Sequence, residues 1–253
     1  MEPRTVDPPF TVVPSWSLWR ELKRTLGLGT DEWWSVATVK TTLASPRSDP
    51  YVLALAVLFA FEWVGLAISP RYRQDWALEN ALTITCVIAL ALFRNRLPLS
   101  RISYTALFVF LSLHSIGAHY TYSEVPYDAW IRTLTGRSIS DVFGVQRNYY
   151  DRFVHFSYGF LFVYPIRDIL VRIAGVRGIW SYYLPIAIAS STSLDYEVIE
   201  WGAASAFGGD LGVAYLGTQG DVWDAQKDMA LAVLGAILSM SLLAIGNVLR
   251  RDA

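Results

Sequence analysis

The sequence has one cysteine, Cys86, and three histidines in 253 residues. A single cysteine excludes an internal disulfide. Charged residues make up only 17% and the net charge is -1, so nothing in the balance points to nucleic acid as a partner. The opening stretch "MEPRTVDPPFTVVP" lacks the basic-then-apolar order of a signal peptide, which leaves targeting to the first apolar span. There is no H-E-x-x-H zinc spacing, no phosphate loop and no Ser-His-Asp signature in an interpretable context. No internal repeat and no second domain are visible.

What is abundant is apolar residues. They account for 53% of the chain, and the mean hydropathy is +0.33, too high for an ordinary soluble domain of this size. Ten Trp and fourteen Tyr suit a protein with two membrane-water interfaces to line. Residues 50–253 read as a transmembrane domain of about six helices. The spans fall near 50–69, 75–93, 99–119, 152–173, 180–206 and 222–249. Residues 1–49 read as a cytoplasmic or interfacial segment. Within it Trp16, Trp19, Leu22 and Leu26 share one helical face, predicting an amphipathic helix on the membrane surface. The fold class is therefore an all-α, polytopic membrane helix bundle. The loop of about thirty residues after the third span is long enough to predict a functional rim.

Orientation follows from Arg and Lys. Arg20, Lys23, Arg24, Arg94, Arg96, Arg101, Arg172, Arg177, Arg250 and Arg251 fall on one side of a six-span chain. The other side is poorer, so both termini are predicted cytoplasmic. With directions so fixed, the polar residues of the spans collect towards the extracytoplasmic side. Glu62, Glu79, His114, His119, Asp151, Arg152, His155, Asp195, Glu197, Glu200, Asp221, Asp224 and Asp228 all do so. A carboxylate in a membrane costs several kcal/mol, on the order of 3, unless paired or neutralised.

Imidazoles among carboxylates are a ligand set for Zn²⁺, or for Mn²⁺ or Mg²⁺ where oxygen predominates. His114, His119, His155, Asp221, Asp224 and Asp228 are the metal candidates. Glu197 or Glu200 is the candidate general base, and Arg152 a candidate contact for a substrate phosphate or carboxylate. Asp195 points about 160° away from Glu197 on a helical wheel. Gly117 is predicted to end the third helix and turn His119 inward. Glu79, near a span end, reads as solvated. Tyr120, Tyr122, Tyr149 and Tyr150 read as an interface belt, and Asp221 equally well as a helix N-cap. The glycines of "FGGDLGVAYLGTQGD" predict a mobile or tightly turning cap over the site.

The segments "HSIGAHYTYSEVPY", "NYYDRFVHFSYGFLFVYPIRD", "SSTSLDYEVIEW" and "LGTQGDVWDAQKDMALAVLGA" resemble those of the YjdF-type bacterial inner-membrane proteins, over roughly residues 50–250. The resemblance implies a multi-pass protein of the bacterial inner membrane, with this polar set as a family feature. It implies no activity. The residues themselves favour a metal-dependent membrane enzyme acting by hydrolysis or group transfer on a lipid or amphiphile. The alternatives are a proton- or cation-coupled transporter, whose carboxylates would continue through the other leaflet, and a non-catalytic assembly factor.

Overall fold

The computed structural model describes residues 49–250, except 145, 210–211 and 213–215, and the main chain alone of Phe207. The expected amphipathic helix around Trp16–Leu26 lies outside the described residues.

Every described regular element is helical. Each expected span forms a helix, with bounds within three residues of expectation: α1 Pro50–Leu66, α2 Arg73–Phe93, α3 Arg101–Tyr120, α6 Tyr150–Arg172, α7 Trp180–Phe207 and α8 Asp224–Leu249. Between α3 and α6 lie a short 3-10 turn, Tyr122–Glu124, and two surface helices, α4 Tyr127–Thr135 and α5 Ile139–Phe143. The long loop is thus partly structured. Ser138 caps α5 in a reciprocal capping box with Asp141, a local signal that starts even a short helix.

α2, α3 and α8 are long and apolar enough to cross a membrane. α1 is apolar over 17 residues, while α6 and α7 have the length, at 23 and 28 residues, and carry polar residues of the site. α1 starts where Asp49 accepts the Tyr51 amide at 3.0 Å and Pro50 fixes the first turn. None of its residues is buried, and Leu53 and Phe61 are exposed, as for a helix whose solvent is lipid.

α6 sits at the centre, packed on α3, α7 and α8, while α1 and α2 pack on α3. The α6–α8 contact is set by two glycines. A Cβ on Gly159 would come within 1.8 Å of the Ala232 carbonyl oxygen, and one on Gly235 within 2.2 Å of the Phe156 carbonyl oxygen. Only glycine permits that backbone approach, the usual device where lipid gives helices no hydrophobic drive to associate.

At the bundle end where α3 begins and α6 ends, Asp168 is a buried carboxylate. It accepts the Ser100 amide at 2.7 Å and the Ser103 hydroxyl at 2.6 Å. Arg172, one turn on, stands 3.2 Å from its other oxygen. Asp168 therefore pins the start of α3 to the end of α6.

Candidate functional site

The polar residues of α2, α3, α6, α7 and α8 meet at one end of the bundle, where α2, α6 and α8 begin and α3 and α7 end. α3 runs through Gly117 to Tyr120, so Gly117 does not end it. Its lack of a side chain instead seats the Tyr122 ring, whose atoms would lie 2.6 Å from a Cβ there. The chain reverses through Thr121 and Tyr122, both at positive φ, 60° and 34°. Such strained positions persist only where the surroundings hold them. Here Tyr122 is buried, and its hydroxyl makes a short hydrogen bond with His114 Nδ1. His114 Nε2 lies 3.1 Å from the Glu79 carbonyl oxygen.

Both nitrogens of His114 are thus engaged by the protein. Tyr122 and Tyr150 are core residues rather than an interface belt, and Tyr150 donates to the Leu113 carbonyl at 2.8 Å. His119 Nδ1 lies 2.8 Å from the Leu66 carbonyl oxygen, and its own carbonyl accepts the Arg71 amide. It ties the α1–α2 connection to α3 rather than facing the cluster.

A tight group forms where α6, α7 and α8 meet. Asp151, His155 and Asp228 each offer a ligand atom, and these atoms lie within 4.8 Å of one another. His155 Nε2 is 3.6 Å from Asp151 Oδ1 and 3.6 Å from Glu197 Oε1. Asp228 is 2% exposed. Among the described residues, its Oδ1 and Glu197 Oε1 are buried without a hydrogen-bond partner. Orphaned buried carboxylate oxygens call for a proton, a water or a cation.

Two further acids, at and just before the start of α8, are met differently. Asp224 pairs with Arg147 and lies 3.3 Å from Arg152. Asp221 pairs with Arg152 and, at 2.6 Å, with Lys227. Asp221 precedes the helix and accepts the Trp223 amide at 3.1 Å, while the N-cap position itself is Trp223. Outside the spans, Asp221 is held well below the usual carboxylate range, first by the Lys227 hydrogen bond, then by the Trp223 amide and Arg152. Arg152 is occupied by these acids, so the role left for it is to hold the start of α8. The opening of α6 is latched to the segment before α8 by reciprocal bonds of Asn148 and Gln219, each 3.0 Å. Arg147 adds a bond to the Thr218 carbonyl. Within the glycine-rich segment, Gly208, Gly209, Gly217 and Gly220 turn the chain at positive φ; residues 210–211 and 213–215 lie outside the described residues.

Of the predicted metal set, then, His155 and Asp228 come together, joined by Asp151. His114, His119, Asp221 and Asp224 have other partners. Glu197 adjoins the group. Glu200, one turn on, is half-buried. Asp195 is exposed and lines a cavity. Glu62 accepts the Ser112 hydroxyl at 2.6 Å. Glu79 is buried, not solvated, and accepts from Tyr196 at 3.3 Å. Sequence reasoning missed Asp75, buried on the same α2 face, and Arg147. The spacing of Asp75 and Glu79, one turn apart, was a usable signal; for Arg147, in a loop, there was none.

Beside the cluster lies a cavity of about 320 Å³. It is lined by Leu82, Cys86, Phe110 and Phe162, and at the cluster end by Asp151, His155 and Tyr196.

A helical bundle with membrane-length apolar helices, lipid-exposed apolar faces and a buried polar cluster at one end is a multi-helix integral membrane protein. The chain belongs to the family of predicted membrane proteins DUF2238, which matches residues 51–248. It is 36% identical over 178 residues to the inner membrane protein YjdF of Escherichia coli (strain K12), covering 70% of this chain and 81% of that protein. No solved structure matches.

Proposed function

We propose that this protein is a membrane-embedded, metal-dependent enzyme acting on a lipid or amphiphile. Asp151, His155 and Asp228 hold the divalent cation. The observation that carries this is their mutual approach within 4.8 Å, from two helices that glycines lock together. Two carboxylates and one imidazole suit Zn²⁺ or Mn²⁺, and Mg²⁺ less well because of the nitrogen. Charge supports the reading. Among the described residues, Arg147, Arg152 and Lys227 make their ion pairs with Asp221 and Asp224, while Asp151 and Glu197 have only His155 within ion-pair distance and Asp228 has none.

A bound cation would supply an acidified water. Glu197, 3.6 Å from His155, is placed to take its proton and pass it to a leaving oxygen. Hydrolysis or group transfer then depends on holding the amphiphile's head group at the rim of the cavity. Transport has less support. The far-end carboxylate, Asp168, is fully engaged by Ser100, Ser103 and Arg172, so it offers no relay onward.

In the cell, the site end faces outward from the inner membrane, with both termini in the cytoplasm. The Arg and Lys distribution supports the orientation, and the inner-membrane relative supports the choice of membrane.

Elemental analysis of the detergent-purified protein tests the metal. About one divalent ion per chain is expected, lost in His155→Ala and Asp228→Asn. A protein that neither carries nor takes up Zn²⁺ or Mn²⁺ overturns the reading.

A further inference from the structure

We propose that the cavity bounded by α2, α3, α6 and α7 binds one acyl chain of a membrane amphiphile, admitted sideways from the bilayer between α2 and α7. Its head group then lies against Asp151 and His155. The inference rests on the enzyme reading only for what happens to that head group. The binding site stands on its own observations.

The mouth faces lipid. Leu82 of α2 and Ile199 of α7 line the cavity yet are 44% and 62% exposed on the outside of the bundle. α2 packs on α3, and α7 on α6 and α8, so the slit between α2 and α7 is not zipped along its length. The Tyr196–Glu79 hydrogen bond at 3.3 Å spans it at the site end. A chain entering laterally never crosses that polar end.

The dimensions match. The cavity runs along α6 from Asp151 to Phe162, about 16 Å at the helical rise. That is close to half of a ~30 Å hydrocarbon core, the reach of one leaflet's acyl chain.

The chemistry is graded in the same direction. Phe110, Phe162 and Cys86 make the deep part apolar. Two hydroxyls on the wall, Thr83 Oγ1 and Ser193 Oγ, are buried without a hydrogen-bond partner among the described residues. Unpaired buried hydroxyls are costly. An ester or amide carbonyl between tail and head would accept from them.

The test uses the full-length protein in nanodiscs with a diazirine-bearing palmitoyl lysophospholipid. Labelling of peptides from α2 and α7 should be competed by the unlabelled palmitoyl lysophospholipid, while labelling of α1 should not. Leu82→Trp narrows an exposed mouth at little risk to folding, and Cys86→Trp fills the floor. Both should lower the competable labelling several-fold, with divalent-ion content retained. Labelling that is uniform over α1, α2 and α7, or unchanged in folded Leu82→Trp protein, overturns the proposal. Competable labelling of a protein that takes up no divalent ion supports the cavity and removes the metal reading alone.

Discussion

Gly159 of α6 meets the Ala232 carbonyl of α8 so closely that a methyl group would sit 1.8 Å from the oxygen. This contact governs the site, because α6 carries Asp151 and His155 and α8 carries Asp228. Gly159→Ala must push the helices apart, an overpacking cost of about 2 kcal/mol. Gly246→Ala is the control, since a Cβ there meets nothing within 4 Å and alanine favours a helix. Thermal unfolding in detergent should show a lower midpoint for Gly159→Ala only, with divalent-ion content falling alongside. An unchanged midpoint and ion content would separate the helix contact from the site.

Asp221 gives a pH dependence with a definite sign. Its carboxyl is held below the usual range by Lys227, the Trp223 amide and Arg152. A depressed native value means the stabilisation is present above the unfolded carboxylate value, about 4. It is lost as the pH falls through the native value. Asp221→Asn should therefore unfold at lower temperature than wild type near neutral pH. The gap should hold down to about pH 4 and narrow below it. Melting curves taken across that range check this, and a gap that widens towards acid would contradict it.

The bundle was legible in the sequence because a span is written in composition. Long apolar runs closed by charges located all six helices, as with "PYVLALAVLFAFEWVGLAIS", which gave α1. The convergence of polar groups was legible too, since alternating span directions bring the end of α3 and the start of α6 to one side. Partner choice was not. Nothing in a linear pattern tells that Tyr122 folds back under Gly117 to reach His114, or that Arg147 crosses from a loop to Asp224. Those pairings depend on tertiary approach, and they decide which of the predicted ligands remain free.

Asp168 separates structural from functional carboxylates. Replacing it with alanine strands the Ser100 amide, the Ser103 hydroxyl and Arg172. A buried group left without its partner costs about 1–3 kcal/mol. Asp168→Ala should lower the unfolding midpoint and leave divalent-ion content per folded chain unchanged. The opposite pattern is expected for Asp228→Asn, whose Oδ1 has no hydrogen-bond partner among the described residues. If Asp168→Ala also emptied the site, the two ends of the bundle would be coupled, and the assignment of a local metal site would need revision.

Sidedness decides which compartment the cluster serves. The connection between α2 and α3 carries Arg94 and Arg96, and that between α6 and α7 carries Arg177. Short loops with such residues stay in the cytoplasm. α4 and α5 lie in the connection that joins the other ends of α3 and α6. A fluorescent reporter fused after Ala253 should fold and glow, as cytoplasmic reporters do. An alkaline phosphatase reporter inserted after Gly136, an exposed turn at positive φ, should be active, as exported phosphatase is. Exchange of the two signals would put Asp151, His155 and Asp228 at the cytoplasmic face. The geometry of the cluster would stand, but its substrate would have to come from the inner leaflet.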